Sequence, residues 1–178
     1  MIRVGIMGAA GYAGSELARI LLQHPKVELK LLSSQYYIRR KYNSIYENFK
    51  KICEMKCVGN NLESIAKEVD VIFLALPHGI SSMLVTDNIL EKVKIIDLSA
   101  DFRLKSKEVY EKWYKTEHHN RSLLNKAIYG LCELKREDIK KSNLIANPGS
   151  YSTCAILCLY PLLAEDVIKE NNIIIDAK

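Results

Sequence analysis

The 178-residue chain is poor in the residues that punctuate or staple a fold: eight glycines, four prolines, three phenylalanines and one tryptophan. With apolar and charged fractions ordinary for a globular protein, that composition excludes collagen-like, low-complexity and disordered chains. No apolar run reaches the ~18 residues needed to span a bilayer, and the opening MIRVGIMGAAGYAG lacks a basic region ahead of a long apolar stretch. No membrane partner is expected, and the cytoplasm is the expected compartment. An odd number of cysteines, five, argues for reduced thiols rather than a disulfide framework. Cys53/Cys57 and Cys154/Cys158 lack both C-x-x-C spacing and nearby histidine ligands, so buried thiols are expected and a metal site is not. The net charge of +5 is not collected into an arm, and no nucleic acid partner is indicated.

What is present is alternation. Short β-branched runs (IRVGIM, VELKLLS, VDVIFLAL, KIIDLS, NLIANP, NNIIIDA) are separated by helical patterns (SELARILLQ, ISSMLVTDNIL, SKEVYEKWYK and the apolar stretch after Ser150). Strands apolar throughout, with amphipathic helices between them, predict an α/β fold: a Rossmann-like, doubly wound parallel sheet covered on both faces. Asn147-Pro148-Gly149 turns the chain after a strand and marks a boundary, with a nucleotide-binding domain over 1–147 and the start of a second, α+β domain over 148–178. Because the chain stops after an apolar strand, exposed apolar surface and a homo-oligomer are expected. Residues 36–46, YYIRRKYNSIY, read as a surface loop.

Gly8-Ala9-Ala10-Gly11-Tyr12-Ala13-Gly14 follows the first strand and opens the first helix. Glycines there allow a positive φ and close backbone approach, while the free amides and dipole of a helix start attract a pyrophosphate. This predicts a dinucleotide site formed by Gly8, Gly11, Tyr12, Ala13 and Gly14. At the end of the second strand, where an NAD site presents a carboxylate to the ribose, the chain has Ser33-Ser34-Gln35 with Arg39, Arg40 and Lys41 beyond. Hydroxyls plus cations suit a 2′-phosphate, so NADP(H) is the expected cofactor.

Read together, GAAGYAGSELARIL, HPKVEL, ALPHGIS, DLSADFRL, AIYGLCEL, ANPGSYST and IIDAK resemble the N-acetyl-gamma-glutamyl-phosphate reductase family, within the wider aspartate-semialdehyde dehydrogenase group. The resemblance covers the whole chain. It implies NADPH-dependent reduction of a small-molecule acyl phosphate, N-acetyl-gamma-glutamyl phosphate, to the semialdehyde in arginine biosynthesis. It further implies that Pro77-His78-Gly79 lies against the cofactor, and that a cysteine nucleophile forms a thioester at the position held here by Ser150. Cys132 and Ser152 replace family prolines, and three changes at motif positions fit divergence better than one deliberate substitution. The family's acid/base histidine and much of its substrate pocket would come from beyond Lys178.

The residues themselves leave alternatives open. Ser150 reads as a nucleophile's replacement or as a helix N-cap, and a hydroxyl needs a general base that this stretch does not specify. Cys154, a helical turn deeper, reads as buried packing. Ser99 and Arg103, with Asn147, are candidates to bind an acidic substrate, or Asp101 and Arg103 simply pair to hold their loop. His78 is a cofactor neighbour or a turn residue bonded to backbone. Tyr110, Trp113 and Tyr114 share helical spacing and read as core, and His118-His119 read as packing or exposed residues. Two further readings stand beside the reductase: a noncatalytic dinucleotide-binding module that has lost its nucleophile, and an aspartate-semialdehyde dehydrogenase relative acting on another acyl phosphate.

Overall fold

The computed structural model describes residues 1–177, and Lys178 lies outside them. Compactness divides the chain into two units, one ending at Asn147 and the other starting at Pro148.

The first unit is a six-stranded sheet in the order β2-β1-β3-β4-β6-β5, with every neighbouring pair parallel. Its strands are β1 (Ile2–Met7), β2 (Val27–Ser33), β3 (Val71–Leu74), β4 (Lys94–Asp97), β5 (Ile128–Tyr129) and β6 (Leu144–Ala146). The helices joining them are α1 (Tyr12–Leu22), α2 (Leu62–Ile65), α3 (Ile80–Leu84), α4 (Asp87–Leu90), α5 (Lys107–Tyr114), α6 (Arg121–Lys126) and α7 (Cys132–Lys141). Parallel pairing requires crossovers, and these cover both faces. Val4, Ile6, Ala18 and Leu32 pack on one face with Tyr42 and Phe49, while Met7, Ile72, Leu74 and Ile95 pack on the other with Ile65, Ile89 and Phe102.

Register aligns the strands' C-terminal ends in one row: Ser33 beside Met7, Met7 beside Leu74, Leu74 beside Asp97, Asp97 beside Ala146. From β1 the chain first adds β2 on one side and later β3 on the other, so the order reverses there. That reversal is the point at which open α/β sheets form their ligand crevice.

Several elements differ from the sequence reading. ISSMLVTDNIL forms two helices, because Thr86 leaves the helical region and caps α4, its side chain accepting from the Ile89 amide at 3.4 Å. β5 went unrecognised, being two residues long at the sheet edge. The segment 36–46 is not a surface loop throughout: Tyr42 is fully buried, the segment folds into a 3₁₀ turn at Tyr42–Ser44, and a second such turn, Glu47–Phe49, follows it.

The second unit consists of α8 (Ser150–Ala164), followed by turns and extended chain. The apolar run at 173–175 forms no strand, as no ladder partner is present for it among the described residues. Within this unit α8 buries none of its residues.

Candidate functional site

Four loops leave the C-terminal row of the sheet in the first unit. After β1, Gly8 takes φ +79, and a Cβ there would sit 2.2 Å from the Ala75 carbonyl oxygen, just past β3. Gly14 is held as tightly: its Cβ would meet the Gly8 carbonyl oxygen at 2.3 Å. Gly11 has room, with its nearest neighbour 3.5 Å away, so nothing in the protein itself requires glycine there. The Gly8 and Ala9 amides donate to the Ser33 carbonyl at 3.1 and 2.9 Å, joining the turn to β2. Gly11 is the N-cap of α1 and offers no side chain, so the amides of Tyr12, Ala13 and Gly14 have no acceptor among the described residues. Tyr12 is 95% exposed. A tight turn ending in unpaired amides at an open helix start fits an anion such as a pyrophosphate.

After β2, Ser33 and Ser34 are both buried. The Ser33 hydroxyl donates to the Asn60 side chain and lies 3.3 Å from the Gly59 carbonyl, so it serves the fold as well as the site. Of the cations beyond, Lys41 pairs with Glu54 at 2.9 Å and Arg40 lies over the Tyr37 ring at 5.4 Å. Arg39 is exposed, with a left-handed φ of 66 and its amide bonded to the Cys57 carbonyl.

The loops after β3 and β4 are locked together by carboxylates. Asp101 is fully buried and accepts from the Gly79 amide (2.7 Å), the Ser82 amide (2.9 Å) and the Tyr110 hydroxyl (2.7 Å). Asp97, also fully buried, accepts from the hydroxyls of Ser81 (2.6 Å) and Ser99 (2.7 Å). Burial pushes the Asp97 carboxyl up to about 6, against the opposing effect of those hydroxyls. His78 is exposed on one side, and its Nδ1 accepts from the Ala100 amide at 3.1 Å, which leaves the proton on Nε2. The turn-residue reading of His78 is thus realised, and its exposed edge stays available. Gly79 has φ +89, where a Cβ would clash with Thr116 at 2.7 Å. Pro77 beside it is exposed.

Asp101 and Arg103 do not form the ion pair the sequence suggested. Arg103 instead donates to the carbonyls of Asn147 (2.8 Å) and Leu98 (2.9 Å), while Asp101 is consumed by amides, and no carboxylate pairs with Arg103 among the described residues. The Ser99 hydroxyl is committed as well, donating to Asp97 and accepting from the Asp101 amide at 3.1 Å. Asn147 is exposed, with its amide on the Asp97 carbonyl. His118 is fully buried between Phe102 and Tyr110, with Nε2 2.8 Å from the Asp101 carbonyl, and burial lowers its pKa. Tyr110 and Tyr114 stack as core, but Trp113 is 72% exposed, since its turn of α5 faces outward.

In the second unit Ser150 is exposed and is the first helical residue of α8; Gly149 occupies the N-cap, without a side-chain bond, so the capping reading of Ser150 does not hold. Cys154 and Cys158 are exposed rather than buried, as is Cys132, because α8 finds no cover within its unit. Only Cys53 and Cys57 fit the buried-thiol expectation, and burial raises both thiol pKa values. A cleft of about 630 Å³, lined by Leu90, Lys126, Asn143 and Leu144, lies at the starts of β5 and β6, at the far end of the sheet from these loops.

The family described as semialdehyde dehydrogenase, NAD binding domain, matches residues 3–142. The chain belongs to that family. This semialdehyde dehydrogenase-type domain is 52% identical over 178 residues to an N-acetyl-gamma-glutamyl-phosphate reductase of Lachnoclostridium phytofermentans, covering 100% of this chain and 51% of the relative. A protein of the same description from Campylobacter jejuni (strain RM1221) is 53% identical over 178 residues, covering 99% of this chain and 51% of that one. The chain spans about half the length of the curated relatives it matches. Among solved structures it resembles aspartate semialdehyde dehydrogenase II of Vibrio cholerae in complex with ASA (TM-score 0.63, 18% identity, 92% of this chain and 47% of that one). It also resembles the Candida albicans aspartate semialdehyde dehydrogenase with NADP (TM-score 0.58, 15% identity, 93% and 47%). At such identities these likenesses show the fold alone, a Rossmann-like parallel α/β sheet. No helix among the described residues is long and apolar enough to cross a membrane.

Proposed function

We propose that the chain is the NADP(H)-binding portion of a cytoplasmic N-acetyl-gamma-glutamyl-phosphate reductase, with residues 1–147 as cofactor domain and 148–178 as the start of the catalytic domain. The observation that carries the reading is the glycine turn at the sheet's switch point, where the unpaired amides of Tyr12, Ala13 and Gly14 offer an anion site in a chain about half identical to such reductases. Those amides, with Gly8 and Gly11 allowing close approach, hold the pyrophosphate. Ser33 and Ser34 line the ribose side, and the exposed Arg39 attracts the 2′-phosphate. Pro77, His78 and Gly79 border the nicotinamide side on a loop that Asp101 fixes. The cofactor, when bound, supplies a hydride. Arg103 serves the acidic small-molecule substrate, with Asn147 and Ser99 setting its loop rather than offering free donors.

Ser150 holds the position of the acyl-accepting nucleophile. A serine hydroxyl is far less acidic than a thiol, and residues 148–178 contain no histidine to take its proton. Ser150 therefore favours a second reading, in which the chain binds nucleotide without turnover. The two part in one assay. NADPH oxidation with N-acetyl-gamma-glutamyl phosphate is measured with the second half of a close relative supplied in trans, for the chain and for Ser150→Cys. The reductase reading expects turnover that rises by about 100-fold or more in the cysteine form. No turnover in either form supports the binding module.

A further inference from the structure

The segment that looked like a surface loop carries the most specific contacts to the glycine turn. Tyr42 Oη donates to the Ala9 carbonyl at 2.7 Å, and Tyr46 Oη donates to the Ala10 carbonyl at 2.9 Å. The two rings stand one helical turn apart and close against each other (5.7 Å between centroids) and against Phe49, whose ring meets Tyr42 edge-on at 4.9 Å. The segment is tied in turn to the sheet: the Tyr42 amide bonds the Met55 carbonyl at 2.8 Å, and the Val58 amide bonds the Leu32 carbonyl at 2.9 Å.

A trans peptide is planar, so the direction of a carbonyl fixes that of the following amide, which points the opposite way. By taking the Ala9 oxygen, Tyr42 orients the Ala10 N–H, which has no acceptor among the described residues. By taking the Ala10 oxygen, Tyr46 holds the next peptide, whose Gly11 amide bonds back to the Gly8 carbonyl at 3.0 Å. One lone pair on each carbonyl oxygen is thereby engaged, leaving less negative potential in a turn that is to meet an anion. Burial raises the Tyr42 pKa, so its hydroxyl remains a donor throughout the working pH range.

We infer that Tyr42 and Tyr46 are positioning residues for the pyrophosphate of the bound dinucleotide, holding the Ala9 and Ala10 carbonyls on the phenols so that the turn meets the anion with the free amides at the start of α1 and not with carbonyls. The inference rests on the reading of the turn as a nucleotide site.

Calorimetric titration of the full chain with NADP, and with adenosine 2′-monophosphate, which has the adenosine end but no pyrophosphate, tests it. Tyr46→Phe is expected to weaken NADP by about fivefold to tenfold while moving adenosine 2′-monophosphate by less than about twofold. Tyr42→Phe is expected to do the same or more; Tyr46, being only half-buried, carries the test if the Tyr42 variant does not fold. NADP binding unchanged, or both ligands weakened equally, would overturn the positioning role. An unsubstituted chain that binds neither ligand would instead overturn the nucleotide reading, and this inference with it.

Discussion

The glycine turn after β1 and the paired loops after β3 and β4 solve the same problem with different chemistry. Each is irregular backbone at the sheet's C-terminal row, and each is fixed by buried or half-buried polar side chains. The turn is held by two neutral phenols on carbonyls, Tyr42 and Tyr46. The loops are held by two carboxylates on amides and hydroxyls, Asp101 and Asp97. Each choice fits the proposed roles: only donors can hold carbonyls, and neutral ones place no negative charge where a pyrophosphate is proposed to bind, whereas carboxylates satisfy two or three donors each around the loop that carries Arg103. The cost also differs. A neutral brace is indifferent to pH, while the Asp97 carboxyl, raised by burial, is not.

The largest expected effect tests the carboxylate side. Asp101→Ala leaves the Gly79 and Ser82 amides and the Tyr110 hydroxyl buried without their acceptor. The expected loss is about 3–5 kcal/mol, read as a fall in Tm of about 10 °C. A melting temperature within about 2 °C of the unsubstituted chain would show that Asp101 is no brace.

Asp97 sharpens the contrast. Its carboxyl is raised from 3.8 to about 6 in the fold, so between those values the folded chain binds a proton that the unfolded chain has released. Its contribution therefore favours the fold below about pH 4, is withdrawn as pH rises to about 6, and is flat beyond. Asp97→Asn removes that slope. Chemical denaturation from pH 4 to pH 7 is expected to shift the difference in stability in the variant's favour by about 2 kcal/mol. A difference that does not change with pH would place the titration elsewhere.

The smallest effect belongs to the phenols. Tyr42→Phe deletes one buried hydrogen bond and is expected to cost about 1 kcal/mol, the same at pH 4 and pH 7. A cost that varied with pH over that range would break the distinction between the two braces.

The sequence made the glycine turn and the ends of the strands legible, where the signal is local. Gly8, Gly11 and Gly14 lie within one turn, and each apolar strand ends at a recognisable break. Tyr42 and Tyr46 escaped because they share a segment with Tyr36, Ile38 and Arg39, which are exposed, so the stretch read as uniformly superficial. The spacing of Tyr42, Tyr46 and Phe49, at i, i+4 and i+7, was the available sign of a buried stripe. The roles of Asp97 and Asp101 were hidden for another reason: their partners Gly79, Ser81 and Ser82 lie about twenty residues upstream and meet them only through the β3–β4 register. The Asp101–Arg103 ion pair looked natural in sequence, but nearby amides and the Tyr110 hydroxyl claimed the carboxylate instead.

The central claim is that the turn after β1 is a working dinucleotide site, and calorimetric titration of the chain with NADP and NAD, alongside Gly11→Val, tests it most directly. Gly11 has space on the protein side, so a valine there is expected to leave the fold intact and to obstruct only what approaches the turn. The account predicts saturable binding, tighter for NADP than for NAD, that disappears in the valine variant while its Tm stays within a few degrees. Absence of binding to either nucleotide, or equal binding by the folded Gly11→Val chain, would contradict it.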